Sequence, residues 1–385
     1  MRNEEATVFT PKKHRLFALD ALRGLLMVWM ALDHANAMVA QKHSTGEMWG
    51  GRFPAYHDAL SFLTRLVTHP CAPGFFFLMG ASMVLLAHAR RERGATRWAV
   101  SRHLFVRGLV ILALKLVVVN RAWELSPGGW GIRLYIGVLF ALGANMLLGS
   151  VLVWLKPWHL AVLTVALTLG MEWLVPAAST WGNSISAVRL LLLVPGGLYG
   201  AKGATLIWSN YPVLPWLKLV TFGMLFGHWL VQDADKALDR AWKLGLVLLA
   251  LFVVVRALND YGNIRPRTGS DWIAYLNVVK YPPSLAYTLL TMGINLLLLG
   301  LFSRVAAGWQ RLFQPLVVFG QTPLFFYVLH LFLYAGLGHL PAPHGASLLR
   351  MYPVWLLGLV ILYPLCVWYG RFKRRQSPNS LLRML

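Results

Sequence analysis

Long apolar stretches, separated by short polar segments, run along most of the chain. A helix needs roughly 20 mainly apolar residues to cross a bilayer, and ten stretches approach or exceed that length. They lie near residues 18–38, 72–89, 104–121, 131–154, 158–175, 212–231, 242–258, 283–302, 315–336 and 352–371. This pattern predicts an all-α polytopic membrane protein, a bundle of about ten transmembrane helices.

An eleventh apolar stretch covers residues 188–199 and is harder to interpret. It is short, and it contains Pro195, Gly196 and Gly197. We interpret it as an interfacial or re-entrant segment, because a spanning helix must satisfy its backbone hydrogen bonds internally. The number of spans is eleven if residues 188–203 cross the membrane after all.

The composition agrees with this pattern and excludes a soluble globular protein. Of the 385 residues, 57% are hydrophobic and only 13% are charged, whereas ordinary soluble domains carry about 25% charged residues. The two cysteines, Cys71 and Cys366, lie far apart and have neither metal-ligand spacing nor a disulfide pattern.

The 36 Lys and Arg residues outnumber the 14 Asp and Glu residues, for a net charge of +22. Cytoplasmic loops retain basic residues, and most of them fall on one side of the bundle if the N-terminus is inside. The densest inside cluster holds Arg90, Arg91, Arg93, Arg97, Arg102 and Arg107. We therefore predict that both termini are cytoplasmic and that the basic surplus reflects topology rather than a nucleic-acid partner.

This orientation gives a simple domain organisation. Residues 1–14 form a cytoplasmic N-terminal tail, residues 15–372 a single transmembrane domain, and residues 373–385 a basic cytoplasmic C-terminal tail. The arginine cluster is explained by topology and attraction to anionic lipid head groups, or by a polyanionic cytosolic ligand.

The first predicted span contains four ionisable residues, Asp20, Arg23, Asp33 and His34. Such groups are costly in the hydrocarbon region, which makes each a candidate for function. Arg23 and His34 are eleven residues apart, about three helical turns, so they lie on one face roughly 16 Å apart. Asp20 can pair with Arg23 at i, i+3, as an interfacial ion pair.

Two further histidines are predicted at the depth of His34. His330 lies in the outer half of the ninth span, and His69 directly precedes the second. With Asp33, these histidines could perform general-base chemistry. A metal site would use the same residue types, but no HxxxH or HxxE pattern supports one, and we expect no metal.

Residues 281–284 have the sequence Tyr-Pro-Pro-Ser. We interpret this segment as a rigid turn or as a wall of an acceptor pocket.

Four motifs in order resemble a known family. They are Leu19-Asp-Ala-Leu-Arg-Gly24 followed by Asp33-His34, Thr68-His-Pro-Cys-Ala-Pro73, Lys280-Tyr-Pro-Pro-Ser284, and Pro323-Leu-Phe-Phe-Tyr-Val-Leu-His330. Together they look like the bacterial branch of the heparan-alpha-glucosaminide N-acetyltransferase-like transmembrane acyltransferases. The first motif is also similar to that of acyltransferase family 3, in which a catalytic His follows an Arg-Gly by about three turns.

The resemblance implies transfer of an acyl group, usually acetyl, from acetyl-CoA in the cytosol to a hydroxyl or amino group of a glycan-like acceptor outside. It implies that His34, oriented by Asp33, deprotonates the acceptor or carries the acyl group, with His69 and His330 as weaker catalytic candidates. It assigns Arg23, with Asp20, and the inner-cluster residues Arg102 and Arg107 to the CoA end. The remaining partners are the lipid bilayer of a bacterial cytoplasmic membrane and, as an open question, a second copy in a homodimer.

The sequence departs from the animal lysosomal enzyme after the first span. In that enzyme the catalytic His belongs to the loop. His43, His57 or His69 could take that role here, and we prefer His69 because it adjoins a span.

A secondary transporter of a small anionic or lipid-linked solute is the alternative function, although no internal repeat of the kind common in transporters is evident. A non-catalytic scaffold would leave the charges of the first span unexplained.

Overall fold

The computed structural model describes residues 11–44, 46–49, 54–56, 58–127, 134–180, 186–200, 203–340, 345–376 and 380, and most of them are helical. The helices are α1 (Pro11–Ala35), α2 (Ala59–Leu66), α3 (Cys71–Glu92), α4 (Arg97–Ala113), α5 (Asn120–Glu124), α6 (Val138–Leu152), α7 (Pro157–Ser179), α8 (Ser186–Leu192), α9 (Val213–Gln232), α10 (Ala234–Leu258), α11 (Trp272–Leu276), α12 (Leu285–Ser303), α13 (Gln314–Gln321), α14 (Pro323–Gly338) and α15 (Leu348–Arg375). Two π-helical segments, Asn36–Ala40 and Leu114–Val119, extend α1 and join α4 to α5.

Seven helical segments among the described residues are long and apolar enough to cross a membrane. The segment that ends in α14 would be an eighth, but it is bent by 86° between Ala307–Gln321 and Pro323–Gly338. Two of the ten predicted spans fall short of this standard, because α1 carries several charges and α6 has only 15 residues. The helical, multi-pass class is thus confirmed, whereas the number of ten spans is not established.

A small β-sheet departs from the all-α prediction. It consists of β1 (Leu134–Ile136), β2 (Gly196–Tyr199) and β3 (Thr205–Ser209), with β3 in the middle, parallel to β1 and antiparallel to β2. The predicted span 131–154 is therefore longer than the helix, since α6 covers Val138–Leu152 and β1 precedes it; residues 131–133 of that span lie outside the described residues. The apolar stretch 188–199 forms the end of α8 and then β2. In strands of only three to five residues, the alternation of apolar and polar positions is too short to be recognised as a strand within an apolar stretch.

Two helices meet backbone to backbone where α1 crosses α13. A Cβ atom added to Gly24 would lie 1.8 Å from the carbonyl oxygen of Leu316, and one added to Gly320 would lie 1.9 Å from that of Asp20. Only glycine permits such an approach, as in the small-residue contacts of membrane helices. This crossing places the end of α13 beside the charged N-terminal half of α1.

The chain turns sharply between α13 and α14. Pro323 provides no backbone N–H and disfavours the helical conformation at the residue before it, and Thr322 accordingly has φ −123° and ψ 44°. The last carbonyl groups of α13 are therefore free of helical partners. Beyond the break, α14 carries His330 towards the C-terminal end of α1.

The predicted domain boundaries fall inside helices. Helix α1 begins at Pro11, and α15 continues through residue 372 to Arg375. Residues 1–10, 377–379 and 381–385 of the predicted tails lie outside the described residues.

Candidate active site

Two cavities flank α1, and we name them by the predicted orientation. The outer cavity, about 470 Å³, surrounds the C-terminal end of α1. Its lining includes Asp33, His34, His43, Tyr135, Tyr281 and Tyr327. The inner cavity, about 560 Å³, lies beside the N-terminal half of α1, and its lining includes Asp20, Arg23, Ser82, Arg107, Tyr327 and Lys373.

Two histidine side chains meet at the outer cavity. His34 Nδ1 lies 2.6 Å from His330 Nε2, and His330 Nδ1 lies 2.8 Å from the carbonyl oxygen of Phe326. A carbonyl only accepts hydrogen bonds, so His330 Nδ1 carries a hydrogen. When both rings are neutral, His330 Nε2 must then accept and His34 Nδ1 must donate. This leaves the lone pair of His34 on Nε2, which can then act as a general base or nucleophile.

Aromatic rings hold the His34 imidazole in place. Trp123 contacts it edge to face with ring centroids 5.5 Å apart, and Tyr327 does so at 6.5 Å. The His330 ring is fully buried on the other side. A ring enclosed in this way has few alternative rotamers, which is the pre-organisation that catalysis requires.

The hydrogen-bond partners of the Asp33 carboxylate are residues other than the adjacent His34. Its carboxylate accepts hydrogen bonds from Arg65 at 2.5 Å and from Thr68 at 2.8 Å, and His43 lies 3.4 Å away. Successive residues of a helix point about 100° apart and do not face each other. Asp33 is therefore bound to α2 and the loop beside it, and the partner of His34 is His330.

A buried ion pair lies behind Asp33. Arg65 donates to Glu47 from Nε at 2.8 Å and also from one terminal nitrogen, and both side chains are 1% exposed. Arg65 thus bridges the carboxylates of Glu47 and Asp33. Burial by itself raises the pKa of Glu47, but the positive charge of Arg65, assisted by His69 and by hydrogen bonding to Arg65, lowers it to about 2.

The loop histidines separate into two groups. His43 lines the outer cavity, whereas His69 is buried, with Nε2 3.6 Å from Glu47, and lines neither cavity. His57 lies outside the described residues. Position therefore favours His43 over His69 for a direct part in chemistry, contrary to the preference from sequence, because the turn before α3 points His69 towards Glu47.

The aromatic wall of the outer cavity comes from distant parts of the chain. Tyr135 extends from β1 and Trp208 from β3, while Tyr281 belongs to the turn before α12. That turn is held firmly, since Lys218 donates to the carbonyl of Pro283 at 2.7 Å and Leu285 N–H donates to a Glu172 carboxylate oxygen at 2.6 Å. Within the predicted turn 281–284, Tyr281 lines the outer cavity.

The inner cavity brings Arg23 and Arg107 together. Arg23 donates to Asp20 at 2.9 Å, to the carbonyl of Gly320 at 3.0 Å and to Ser82 at 3.3 Å. Arg107 Nε is buried without a hydrogen-bond partner among the described residues. Arg102, by contrast, is exposed and does not line this cavity. Most of the remaining lining is apolar, including Met27, Met79 and several leucines.

Sequence reasoning missed Arg65, Glu47, Trp123 and Tyr327. The partners of Arg65, Glu47 and Trp123 are remote in sequence. Tyr327 lies only three residues before His330, but as one of several aromatic residues on an apolar helix it gives no signal of its own. Across the described ranges, no group of three or more His, Cys, Asp and Glu side chains is arranged to hold a metal ion, and we assign no metal ligand.

Comparison with known proteins relates the sequence to one protein family. The profile of a family described as heparan-alpha-glucosaminide N-acetyltransferase, catalytic, matches residues 15–259, a segment that contains Arg23 and His34 but ends before Tyr281 and His330. Over 138 residues the sequence is 25% identical to the heparan-alpha-glucosaminide N-acetyltransferase of Homo sapiens. This stretch is 36% of the chain and 19% of the human protein, so the similarity spans about a fifth of that relative's length.

Proposed function

Because the chain belongs to the family of heparan-alpha-glucosaminide N-acetyltransferase catalytic domains, we propose that it transfers an acyl group from cytosolic acyl-CoA to an acceptor on the outer side of the membrane. Acetyl-CoA is the proposed donor, and a hydroxyl or amino group of a glycan-like molecule is the proposed acceptor. The proposed location is a bacterial cytoplasmic membrane, with both termini inside. A homodimer is not part of the proposal.

The inner cavity is the proposed donor site. CoA carries several phosphate groups, which bind best to guanidinium and ammonium groups. Arg23 and Arg107 supply such cations at the cavity wall, and Asp20 holds Arg23 in position. Arg102 contributes only long-range attraction in this proposal, because it is exposed outside the cavity. The apolar lining suits the less polar arm that connects the phosphates to the thioester.

The outer cavity is the proposed acceptor site. Sugar rings have apolar C–H faces that pack against aromatic rings, and Tyr135, Trp208 and Tyr281 offer such surfaces. Asp33 and His43 add polar groups near His34. The combination of aromatic walls with a few polar groups is typical of small-molecule sites.

His34 is the proposed catalytic residue, and the single observation that supports it best is its contact with His330. With Nδ1 engaged, Nε2 is available to take the proton of the acceptor hydroxyl or amine. The acceptor oxygen or nitrogen then bonds to the acyl carbon, the carbon–sulfur bond breaks, and the proton passes to the CoA thiolate. In a variant of this scheme Nε2 carries the acyl group itself. His330 acts through His34, and Asp33 and His69 act as positioning residues for the loop beside it.

The test is acetyl-CoA consumption by purified protein with its acceptor. His34→Ala should lower kcat by about 10²- to 10⁴-fold, the usual contribution of a general base. His88→Ala, which alters an exposed histidine on α3, should have wild-type activity. If His34→Ala consumed acetyl-CoA as fast as the wild type, the catalytic assignment would be wrong. If reconstituted protein moved a solute without acyl-CoA, the transporter alternative would be favoured.

A further inference from the structure

Tyr327 occupies a special position between the two cavities. It lies on α14, three residues before His330, and its side chain is 6% exposed. Among the described residues it is the one side chain that lines both the outer and the inner cavity. Every other lining residue belongs to one cavity alone, so the Tyr327 ring stands where the two would join.

The Tyr327 ring adjoins both imidazoles. Its centroid is 6.5 Å from that of His34 and 5.6 Å from that of His330, in each case edge to face. The same residue therefore contacts His34 and borders the inner cavity. A passage between the two cavities along this residue would lead to His34, the residue to which we assign the chemistry.

The Tyr327 hydroxyl has no hydrogen bond within the described part of the chain, unlike several buried tyrosines of the bundle. Tyr334 donates to the carbonyl of Trp355 at 2.8 Å, and Tyr287 donates to that of His69 at 2.8 Å. Turning a tyrosine ring that is bound at its hydroxyl breaks that hydrogen bond, whereas turning the Tyr327 ring breaks none. The ring between the cavities is thus held by packing against its neighbours and not by a hydrogen bond at its hydroxyl.

We propose that Tyr327 is a partition that closes the passage between the two cavities and turns aside when the thioester arm of a donor enters. The part that concerns the donor rests on the proposed function, whereas the closure itself does not. A closed passage keeps water of the outer cavity away from the thioester until the arm fills the space. Without it, water would attack the acyl carbon, the carbon–sulfur bond would break, and free carboxylic acid and CoA thiol would form.

Closure can be tested without any acyl chemistry, by thiol labelling in membrane vesicles of known orientation. Ser82→Cys reports on the inner cavity and Ala37→Cys on the outer cavity, since each residue lines only one of them. A membrane-impermeant thiol reagent should label each cysteine from one side only. Protein without an introduced cysteine gives the background, because Cys71 and Cys366 are buried.

Tyr327→Ala should open the passage, because truncating a buried aromatic ring leaves a cavity in its place. Labelling of Ser82→Cys from the outer side should then rise by about 10-fold or more, while Tyr327→Phe should keep labelling one-sided. Tyr135→Ala is the matched control, since it removes an aromatic ring from the outer wall alone. If Tyr327→Ala does not fold, Tyr327→Leu should give the same change in smaller measure.

The partition is wrong if Ser82→Cys is labelled from both sides while Tyr327 is present, or if no Tyr327 variant changes the sidedness. A second readout is acetyl-CoA hydrolysis without acceptor, which should rise about 10-fold in Tyr327→Ala but not in Tyr327→Phe. If labelling changes as expected while neither wild type nor variant consumes acetyl-CoA, the partition stands and the proposed function fails. If hydrolysis is unchanged in an enzyme that transfers acyl groups normally, the proposed role towards the donor is wrong.

Discussion

The two ends of α1 carry similar charges in different surroundings. In the N-terminal half, Asp20 pairs with Arg23 within the helix, and the two side chains remain 18% and 19% exposed. At the C-terminal end, Asp33 binds Arg65 of another helix, and Arg65 binds Glu47, with Arg65 and Glu47 1% exposed. The first pair is local and borders an open cavity, whereas the second belongs to a buried network built from three segments.

This difference indicates what each end can do. A buried network holds its members in one geometry, because each charged group has lost its hydration and is stabilised only by its ion-pair partner. The outer end is therefore suited to fixing a reactive imidazole. At the inner end, Arg107 Nε has no hydrogen-bond partner within the described part of the chain, which suits a ligand that brings its own negative charge.

The largest expected effect is on the stability of the outer network. Arg65→Met leaves the carboxylates of Glu47 and Asp33 buried without a cation, which should lower the free energy of unfolding by about 3–5 kcal/mol. Thermal unfolding in detergent measures the change. Arg121→Met is the control, since it breaks an exposed pair with Glu124 and should cost less than about 1 kcal/mol. If Arg65→Met and Arg121→Met lowered the free energy of unfolding equally, the buried network would not be more stabilising than an exposed local pair, and the prediction would be wrong.

The pH dependence of stability should reveal the same network. The pKa of Glu47 is about 2 in the folded protein, against a reference value of 4.5. Because the folded value is the lower one, its stabilisation is complete above pH 4.5 and is lost as the pH falls towards 2. The loss amounts to about 3 kcal/mol. Unfolding temperatures measured from pH 7 downwards should fall more steeply for wild type than for Glu47→Gln, and Asp239→Asn, at an exposed site, should follow the wild type.

His330 should affect rate rather than substrate binding. His330→Phe removes the acceptor for His34 Nδ1, so kcat should fall by about 10- to 100-fold, the range for groups that orient a functional imidazole, while KM for both substrates stays the same. His330→Gln, whose amide oxygen can accept that hydrogen bond, should recover part of the rate and of the pH profile. Identical kinetics for the Phe and Gln variants would show that the hydrogen bond does not matter.

The smallest effect concerns the inner end. Arg107→Gln removes one cation from the proposed donor site and should raise KM for acetyl-CoA about 10-fold with kcat unchanged, the value of one charge-assisted hydrogen bond. Arg102→Gln should change KM by less than about two-fold, because Arg102 is an exposed arginine on the same helix. A larger effect at Arg102 would place the donor phosphates on the surface of α4 rather than in the cavity.

The sequence reveals those parts of the molecule that depend on local pattern. Apolar length identifies the long helices, and ionisable groups within them single out Arg23, His34 and His330. The partner of Asp33 could not be found in this way, because Arg65 lies 32 positions away on a short helix beyond a loop without periodicity. The β-sheet was missed for a similar reason, since β1 and β3 pair across some seventy residues of helix and loop.

The pairing of His34 with His330 also has a consequence for biogenesis. The two residues are 296 positions apart, so at about 5–20 residues per second a ribosome needs roughly 15–60 s to make the second after the first. During that interval the first helix has left the ribosome with its Asp and Arg residues, while the helix that completes the site has not been synthesised. The proposed active site is therefore among the last parts of the protein to assemble, and a chain truncated before α14 would lack the His330 partner of His34.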